Sequence, residues 1–134
     1  MGALAPPEGY VQRTTEICRR HHILLIADEV MTGIGRSGKN FAVQHGGGVT
    51  ADMILCGQGI AGGYAPLGAV LVAGPVSDAI AQGSGAFLHG FTYNAHPVSA
   101  AAGLAVFDYA AKQRLFQRVE PVGRELRGAL SPSA

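Results

Sequence analysis

Three short, uninterrupted apolar runs constrain the fold of this chain more than any other feature. The runs are ILLIA at residues 23–27, MILC at residues 53–56 and AVLVA at residues 69–73. Runs this short that are apolar at every position are typical of strands covered on both faces, as in the parallel sheets of α/β proteins. The pattern therefore predicts an α/β core with strands near residues 23–28, 53–57 and 69–73.

Helical patterns surround these strands. The first pattern places apolar residues such as Ile17 on one side and arginines mostly on the other, and a later one is rich in alanine, the strongest helix former. We expect helices at residues 8–20, around Phe41 to His45, and at residues 76–82, 98–111 and 115–130. Neither a repeat nor a linker interrupts the sequence, so residues 1–134 are expected to form a single domain.

Composition argues against several classes of partner. The net charge is +1 and the basic residues are scattered among acidic ones, so we expect no nucleic-acid ligand. No apolar run approaches about 18 residues, and residues 1–7 lack the pattern of a signal peptide, so we expect no membrane partner. Cys18 and Cys56 lack metal-ligand spacing, which predicts neither a disulfide nor a metal site. These expectations fit a cytoplasmic protein.

Asp28 is the first candidate for binding chemistry, because it ends the first predicted strand. Ligands of α/β proteins bind beyond the carboxyl ends of the strands, and a carboxylate there can hold a protonated ring nitrogen. The alternative is structural: Asp28 caps a loop or pairs with an arginine. A glycine-rich loop, GQGIAGGYAP at residues 57–66, lies between the second and third strands and is expected at the same sheet edge.

Three segments together resemble the class III, pyridoxal-phosphate-dependent aminotransferases. LIADEVMTGIGRSG at residues 25–38 is similar to the family's aspartate signature, GQGIAGGYAPLGA at residues 57–69 to its lysine loop, and HGFTYNAHP at residues 89–97 to its phosphate-contacting segment. The similarity runs from about Pro6 to Leu130. It implies part of the large domain of fold type I with the start of the C-terminal region, and a mixed, mostly parallel sheet whose third strand is antiparallel.

The resemblance also implies roles for individual residues. Asp28 matches the aspartate that hydrogen-bonds the pyridine nitrogen of pyridoxal phosphate, and Val30 matches the residue that packs on one ring face. Thr92 matches the threonine that reaches the phosphate of the cofactor held by the other subunit. Family membership therefore implies a homodimer or a complementary chain, and a small-molecule amine or keto acid as substrate.

Gln58 departs from the family, because it stands where the family has its Schiff-base lysine. An amide nitrogen is not a nucleophile, so we expect transamination to be impaired or lost, as in a pseudoenzyme. The family's phosphate-binding turn and second ring-stacking residue have no counterpart among the matched segments, so about half of the cofactor pocket is expected. The lysines present are Lys39 and Lys112, both outside the matched loop, which predicts weak and reversible cofactor binding.

Two alternatives stay open on the sequence. The chain can be a non-catalytic oligomerising or binding subunit, because three strands with open edges and apolar faces need cover. It can also be an ester hydrolase, because Asp78, Ser84 and His89 lie within one short glycine-rich segment and include the residue types of a catalytic triad. The Gly-x-Ser-x-Gly motif is absent around Ser84, and triad residues normally come from distant segments.

Overall fold

A three-stranded mixed sheet forms the centre of the computed structural model, which describes residues 4–131. Strand β1 (Ile26–Asp28) pairs in parallel with β2 (Met53–Cys56), and β2 pairs antiparallel with β3 (Ala69–Val72), in the order β1-β2-β3. The register places Asp28 opposite Leu55 and Cys56 opposite Ala69. The α/β class and the antiparallel third strand are therefore confirmed.

Strand β1 is shorter than the apolar run that predicted it. The backbone N–H of Leu25 donates to the side-chain carboxylate of Asp52 at 2.7 Å, and the backbone N–H groups of Asp52 and Met53 both donate to the carbonyl of Leu25. Residues 23–25 thus lie outside the strand ladder, because a side chain takes the place of a strand partner at its start.

Four α-helices accompany the sheet, and their positions agree with the predicted ones to within about two residues. They are α1 (Tyr10–Arg20), α2 (Gly74–Gln82), α3 (Pro97–Lys112) and α4 (Leu115–Leu130). The predicted short helix near Phe41 is a 3-10 helix, Ala42–Gly46. A second 3-10 helix, Gln58–Ala61, was not predicted, because its glycine-rich sequence has no helical period.

The buried apolar core lies around the second 3-10 helix. Its members are Cys56, Ile60, Ala61 and Ala110. Helix α3 packs closely here because Gly103 has no side chain: a Cβ at Gly103 would lie 2.7 Å from the Leu67 Cδ2 atom. The core therefore includes residues of the 3-10 helix that begins at Gln58.

The apolar strands are not covered on both faces within residues 4–131, contrary to the interpretation of their sequence. Val70, Leu71 and Val72 are between 43% and 56% exposed, although neighbouring strand residues point to opposite faces. Three strands and four helices bury too little surface to enclose the sheet. Among these described residues, no helix is long and apolar enough to cross a bilayer.

Candidate active site

Asp28 and Gln58 lie at the same edge of the sheet, as expected from the parallel pairing of β1 and β2. Asp28 is the last residue of β1, and Gln58 follows β2 after a single glycine, Gly57. The Asp28 side chain is exposed, and its Oδ1 atom accepts a hydrogen bond from the backbone N–H of Val30 at 3.1 Å. The carboxylate thus closes a local turn and still faces solvent, so the capping and ring-binding interpretations are compatible.

Val30 packs against the backbone immediately before Gln58. A Cβ added at Gly57 would lie 3.0 Å from the Val30 Cγ1 atom, so a side chain there would require Val30 to shift by a few tenths of an ångström. Val30 and Gln58 also line one cleft of about 270 Å³ together with Met31, Ile34 and Arg36. The structure therefore brings together Val30 and Gln58, the two residues that the resemblance matches to the ring-packing and lysine positions.

Gln58 has an uncommon backbone conformation. Its φ is +41°, in the left-handed region that costs a non-glycine residue roughly 1–3 kcal/mol; His22, Ile34, Ala95 and Arg114 also adopt a positive φ. Its side chain is exposed. Lys39 and Lys112 are exposed as well, and neither lines this cleft, so the cleft contains no side-chain amine.

Glu29 is a buried residue of this site that the sequence analysis missed. It is 3% exposed, although it directly follows the exposed Asp28. Burial, followed by the negative charge of Glu29, raises the pKa of the neighbouring Cys56 thiol. The one sequence signal available was Thr32, three residues after Glu29, whose hydroxyl donates to the Glu29 carboxylate at 2.6 Å.

Thr92 and His89 lie on a separate, exposed segment. Thr92 begins a turn and is not among the residues lining the cleft beside Gln58. The His89 ring makes edge contacts with Phe87 and Phe91, with centroids 5.7 and 4.9 Å apart. His89 and Phe91 line a different, larger cleft of about 1050 Å³. Within this chain, the phosphate-contacting segment does not contribute to the Gln58 cleft.

The structure does not connect the three residues of the hydrolase alternative. The Ser84 hydroxyl donates to the backbone carbonyl of Ala86 at 2.8 Å, while the His89 ring makes edge contacts with Phe87 and Phe91. Asp78 is exposed on α2. Across residues 4–131, no hydrogen bond joins Ser84 to His89 or His89 to Asp78, so no triad geometry is present.

Comparison with known proteins decides the family. The family model for class III aminotransferases matches residues 1–134. The chain belongs to this family. The omega-amino acid–pyruvate aminotransferase of Pseudomonas putida is 40% identical in the aligned region, which covers 96% of this chain and 30% of that protein. The omega-aminotransferase of Caulobacter vibrioides is 45% identical over 120 residues, covering 87% of this chain and 27% of that protein.

Solved structures of class III aminotransferases share the fold. An amine transaminase from an uncultivated Pseudomonas species, in its pyridoxal-phosphate-bound internal aldimine form, matches with a TM-score of 0.91 and 44% identity, covering 98% of this chain and 30% of that one. Taurine:2-oxoglutarate aminotransferase from Bifidobacterium kashiwanohense, in complex with pyridoxal phosphate and glutamate, matches with a TM-score of 0.89 and 36% identity, covering 95% and 28%. The chain spans about 30% of the length of such relatives.

The residues of this class III chain fit the cofactor only in part. Asp28 offers a solvent-facing carboxylate oxygen at a strand end, and Val30 offers an apolar surface beside Gln58. These groups suit the non-covalent contacts of a pyridine ring. The amide of Gln58 cannot form the covalent link that an amine forms, and no lysine lines this cleft.

Proposed function

We propose that this chain is part of a class III aminotransferase-like site that is impaired in transamination. The observation that carries the proposal is the position of Gln58: it shares a cleft with Val30, and neither Lys39 nor Lys112 lines that cleft. A glutamine amide can donate and accept hydrogen bonds, but it cannot attack an aldehyde carbon or carry a proton between atoms of a substrate. Positioned proton transfer alone contributes about 10²- to 10⁴-fold to rates.

Pyridoxal phosphate would be held by few groups of this chain. Asp28 would accept a hydrogen bond from the ring nitrogen, Val30 would pack on one ring face, and Thr92 would contact the phosphate of a cofactor held by a partner. When bound, the cofactor supplies an electron sink for a small-molecule amine or keto acid. In this chain, Asp28 would keep the proton on the ring nitrogen of the cofactor, and Gln58 would offer hydrogen bonds in place of a covalent link.

Borohydride trapping tests the proposal directly. The full chain is incubated with pyridoxal phosphate, reduced, digested and mapped by mass spectrometry. We expect weak, reversible binding and only substoichiometric labelling at Lys39 and Lys112, because both amines are exposed and neither lines the cleft beside Gln58. A stoichiometric adduct at either lysine would show that another amine has replaced the missing one, and would contradict the proposed impairment.

The Gln58→Lys variant is the matching gain-of-function test. We expect a specific adduct at position 58, because Val30 and Gly59 already line the surrounding cleft. Gln82→Lys, at the exposed end of α2, is the control and should be labelled no more than Lys39 or Lys112. Equal labelling at positions 58 and 82 would mean that the cleft does not recognise the cofactor.

We also propose that the chain acts as a homodimer or with a complementary chain, which keeps the non-catalytic, oligomerising role open. The support is the exposed segment around Thr92, where Phe87, Leu88, Phe91 and Tyr93 are all more than 70% exposed. Sedimentation equilibrium should detect a dimer that Phe91→Asp weakens and Gln82→Glu does not. A monomer at high concentration would exclude the homodimer.

The free Cys18 and Cys56 thiols suit a reducing cytoplasm.

A further inference from the structure

Glu29 makes more side-chain hydrogen bonds than its neighbours at the candidate site. Its Oε1 atom accepts from the backbone N–H of Val43 at 2.7 Å, and its Oε2 atom accepts from the Thr32 hydroxyl at 2.6 Å and from the backbone N–H of Ala42 at 3.0 Å. Two of these donors lie 13 and 14 residues further along the chain. The carboxylate therefore closes the whole loop between β1 and the first 3-10 helix.

The Glu29 backbone is anchored on both sides as well. Its N–H donates to the Leu55 carbonyl at 3.0 Å, which extends the pairing of β1 with β2 by one residue. Its carbonyl accepts from the N–H of Gly33 at 2.9 Å, and a Cβ at Gly33 would lie 2.7 Å from that oxygen. Val30 lies within this tight turn and packs on Gly57. The Glu29 backbone thus anchors the turn that contains Val30.

The burial of this carboxylate calls for a reason beyond stability. All three of its donors are neutral, and in the described part of the chain the ion pair present is Arg124 with Glu120, far from Glu29 in sequence. An apolar side chain in such a place is often as stabilising as a buried charge. A carboxylate instead fixes the orientation of the groups that donate to it, because its two oxygens accept several hydrogen bonds in a defined geometry.

We propose that Glu29 is a positioning residue of the site: its carboxylate holds the Val30 turn against Gly57 and so shapes the cleft around Gln58. The identity of that cleft as a cofactor site rests on the proposed function above. Glu29 itself does not line the cleft and does not contact the ring-binding groups through its side chain, so it acts through Val30.

The two cysteines allow the proposal to be tested in the full chain without any cofactor. Cys56 is buried directly before Gly57, whereas Cys18 is half-buried on α1 and serves as an internal reference. In Glu29→Gln, the Cys56-to-Cys18 ratio of iodoacetamide labelling rates should rise on the order of tenfold, because one oxygen cannot replace two. Glu125→Gln, an exposed glutamate on α4, should leave the ratio unchanged.

Thr32 variants separate loop position from charge. In Glu29→Gln, loss of the Glu29 charge lowers the pKa of Cys56 and by itself speeds the labelling of that thiol. Thr32→Val keeps the charge, so this effect is absent in that variant. We expect Thr32→Val to raise the ratio severalfold and Thr32→Ser, which retains the hydroxyl, to restore the wild-type ratio. Unchanged ratios in both Glu29→Gln and Thr32→Val would overturn the proposal. A parallel rise at both cysteines would also overturn it, since Glu29 would then stabilise the fold as a whole.

A second readout links Glu29 to position 58. In the Gln58→Lys background, Glu29→Gln should lower the yield of the borohydride-trapped adduct at position 58 severalfold and leave the labelling of Lys39 and Lys112 unchanged. If Gln58→Lys alone forms no adduct, the cleft is not a cofactor site, while the cysteine ratios still decide the role of Glu29. If the Cys56 ratio rises but the adduct yield does not fall, Glu29 does not shape the cleft and the inference is wrong.

Discussion

Two segments that carry family motifs differ in how they are supported. The segment from Asp28 to Ala61 is held by hydrogen bonds and close contacts between residues distant in sequence, such as Glu29 with Val43 and Val30 with Gly57. By contrast, every residue from 81 to 98 is exposed, and its contacts are local, such as Ser84 with the Ala86 carbonyl. The first segment has its partners within this chain. The second presents exposed apolar side chains, such as Leu88 and Tyr93.

The largest difference is expected between two glycines, one in each segment. Gly35 has a φ of +82°, and a Cβ there would overlap the Phe116 ring, so Gly35→Ala combines backbone strain with overpacking. We expect Gly35→Ala to lower the free energy of unfolding by about 2–4 kcal/mol.

Gly85→Ala is the matched control for this comparison. Gly85 has a φ of +76° and nothing within 4 Å of its Cβ position, so it should cost only the strain, about 1 kcal/mol. Urea unfolding of both variants gives the two values. Equal losses of unfolding free energy in the two variants would show that the Phe116 contact does not hold α4 against the loop that contains Gly35.

A smaller effect is expected at His96, where the exposed segment meets α3. Its Nδ1 atom accepts from the backbone N–H of Ser99 at 3.3 Å and caps the helix. We expect His96→Ala to destabilise the chain by about 1 kcal/mol, and His96→Asn, a better capping residue, to be neutral or stabilising. Equal destabilisation by both substitutions would assign the role of His96 to its contact with the Tyr93 ring.

Cys56, which lies in the segment from Asp28 to Ala61, predicts that the free energy of unfolding depends on pH. Burial and the Glu29 charge raise the pKa of the folded thiol, so its neutral form stabilises the fold. This contribution is fully present below the pKa of an unfolded thiol, about 8.5, and is lost as the pH rises through the higher folded value. Unfolding from pH 7 to 10 should show this alkaline loss in wild type and Cys18→Ala, and less of it in Cys56→Ala. Parallel curves for all three would contradict the burial of the thiol.

The smallest change is expected at Ser84. Its hydroxyl is exposed and bonds local backbone carbonyls, so Ser84→Ala should change the free energy of unfolding by less than about 0.5 kcal/mol. It should also leave any cleavage of short activated esters unaltered, because His89 is not bonded to Ser84. Loss of such activity in Ser84→Ala, with Gln58→Ala unaffected, would restore the hydrolase alternative.

The elements predicted most accurately were those with a local cause. Helix α4 has the predicted bounds, and α3 differs by one residue at each end, because apolar spacing and alanine content act within a few residues. Strand β1 was overestimated, since its start depends on the carboxylate of Asp52, which is distant in sequence. The second 3-10 helix was missed for a related reason: packing of α3 at Gly103, not local propensity, holds it in place.

The sequence alone determined the family motifs, the helices and the chemical identity of position 58, because each is a property of residue type and near neighbours. Only the tertiary structure decided that Val30 packs on Gly57, that Gln58 is in the left-handed region, and that Glu29 is buried while Asp28 beside it is exposed. Adjacent carboxylates look equivalent in a sequence. They differ here because the donors that satisfy Glu29 come from Ala42 and Val43, which folding brings to it.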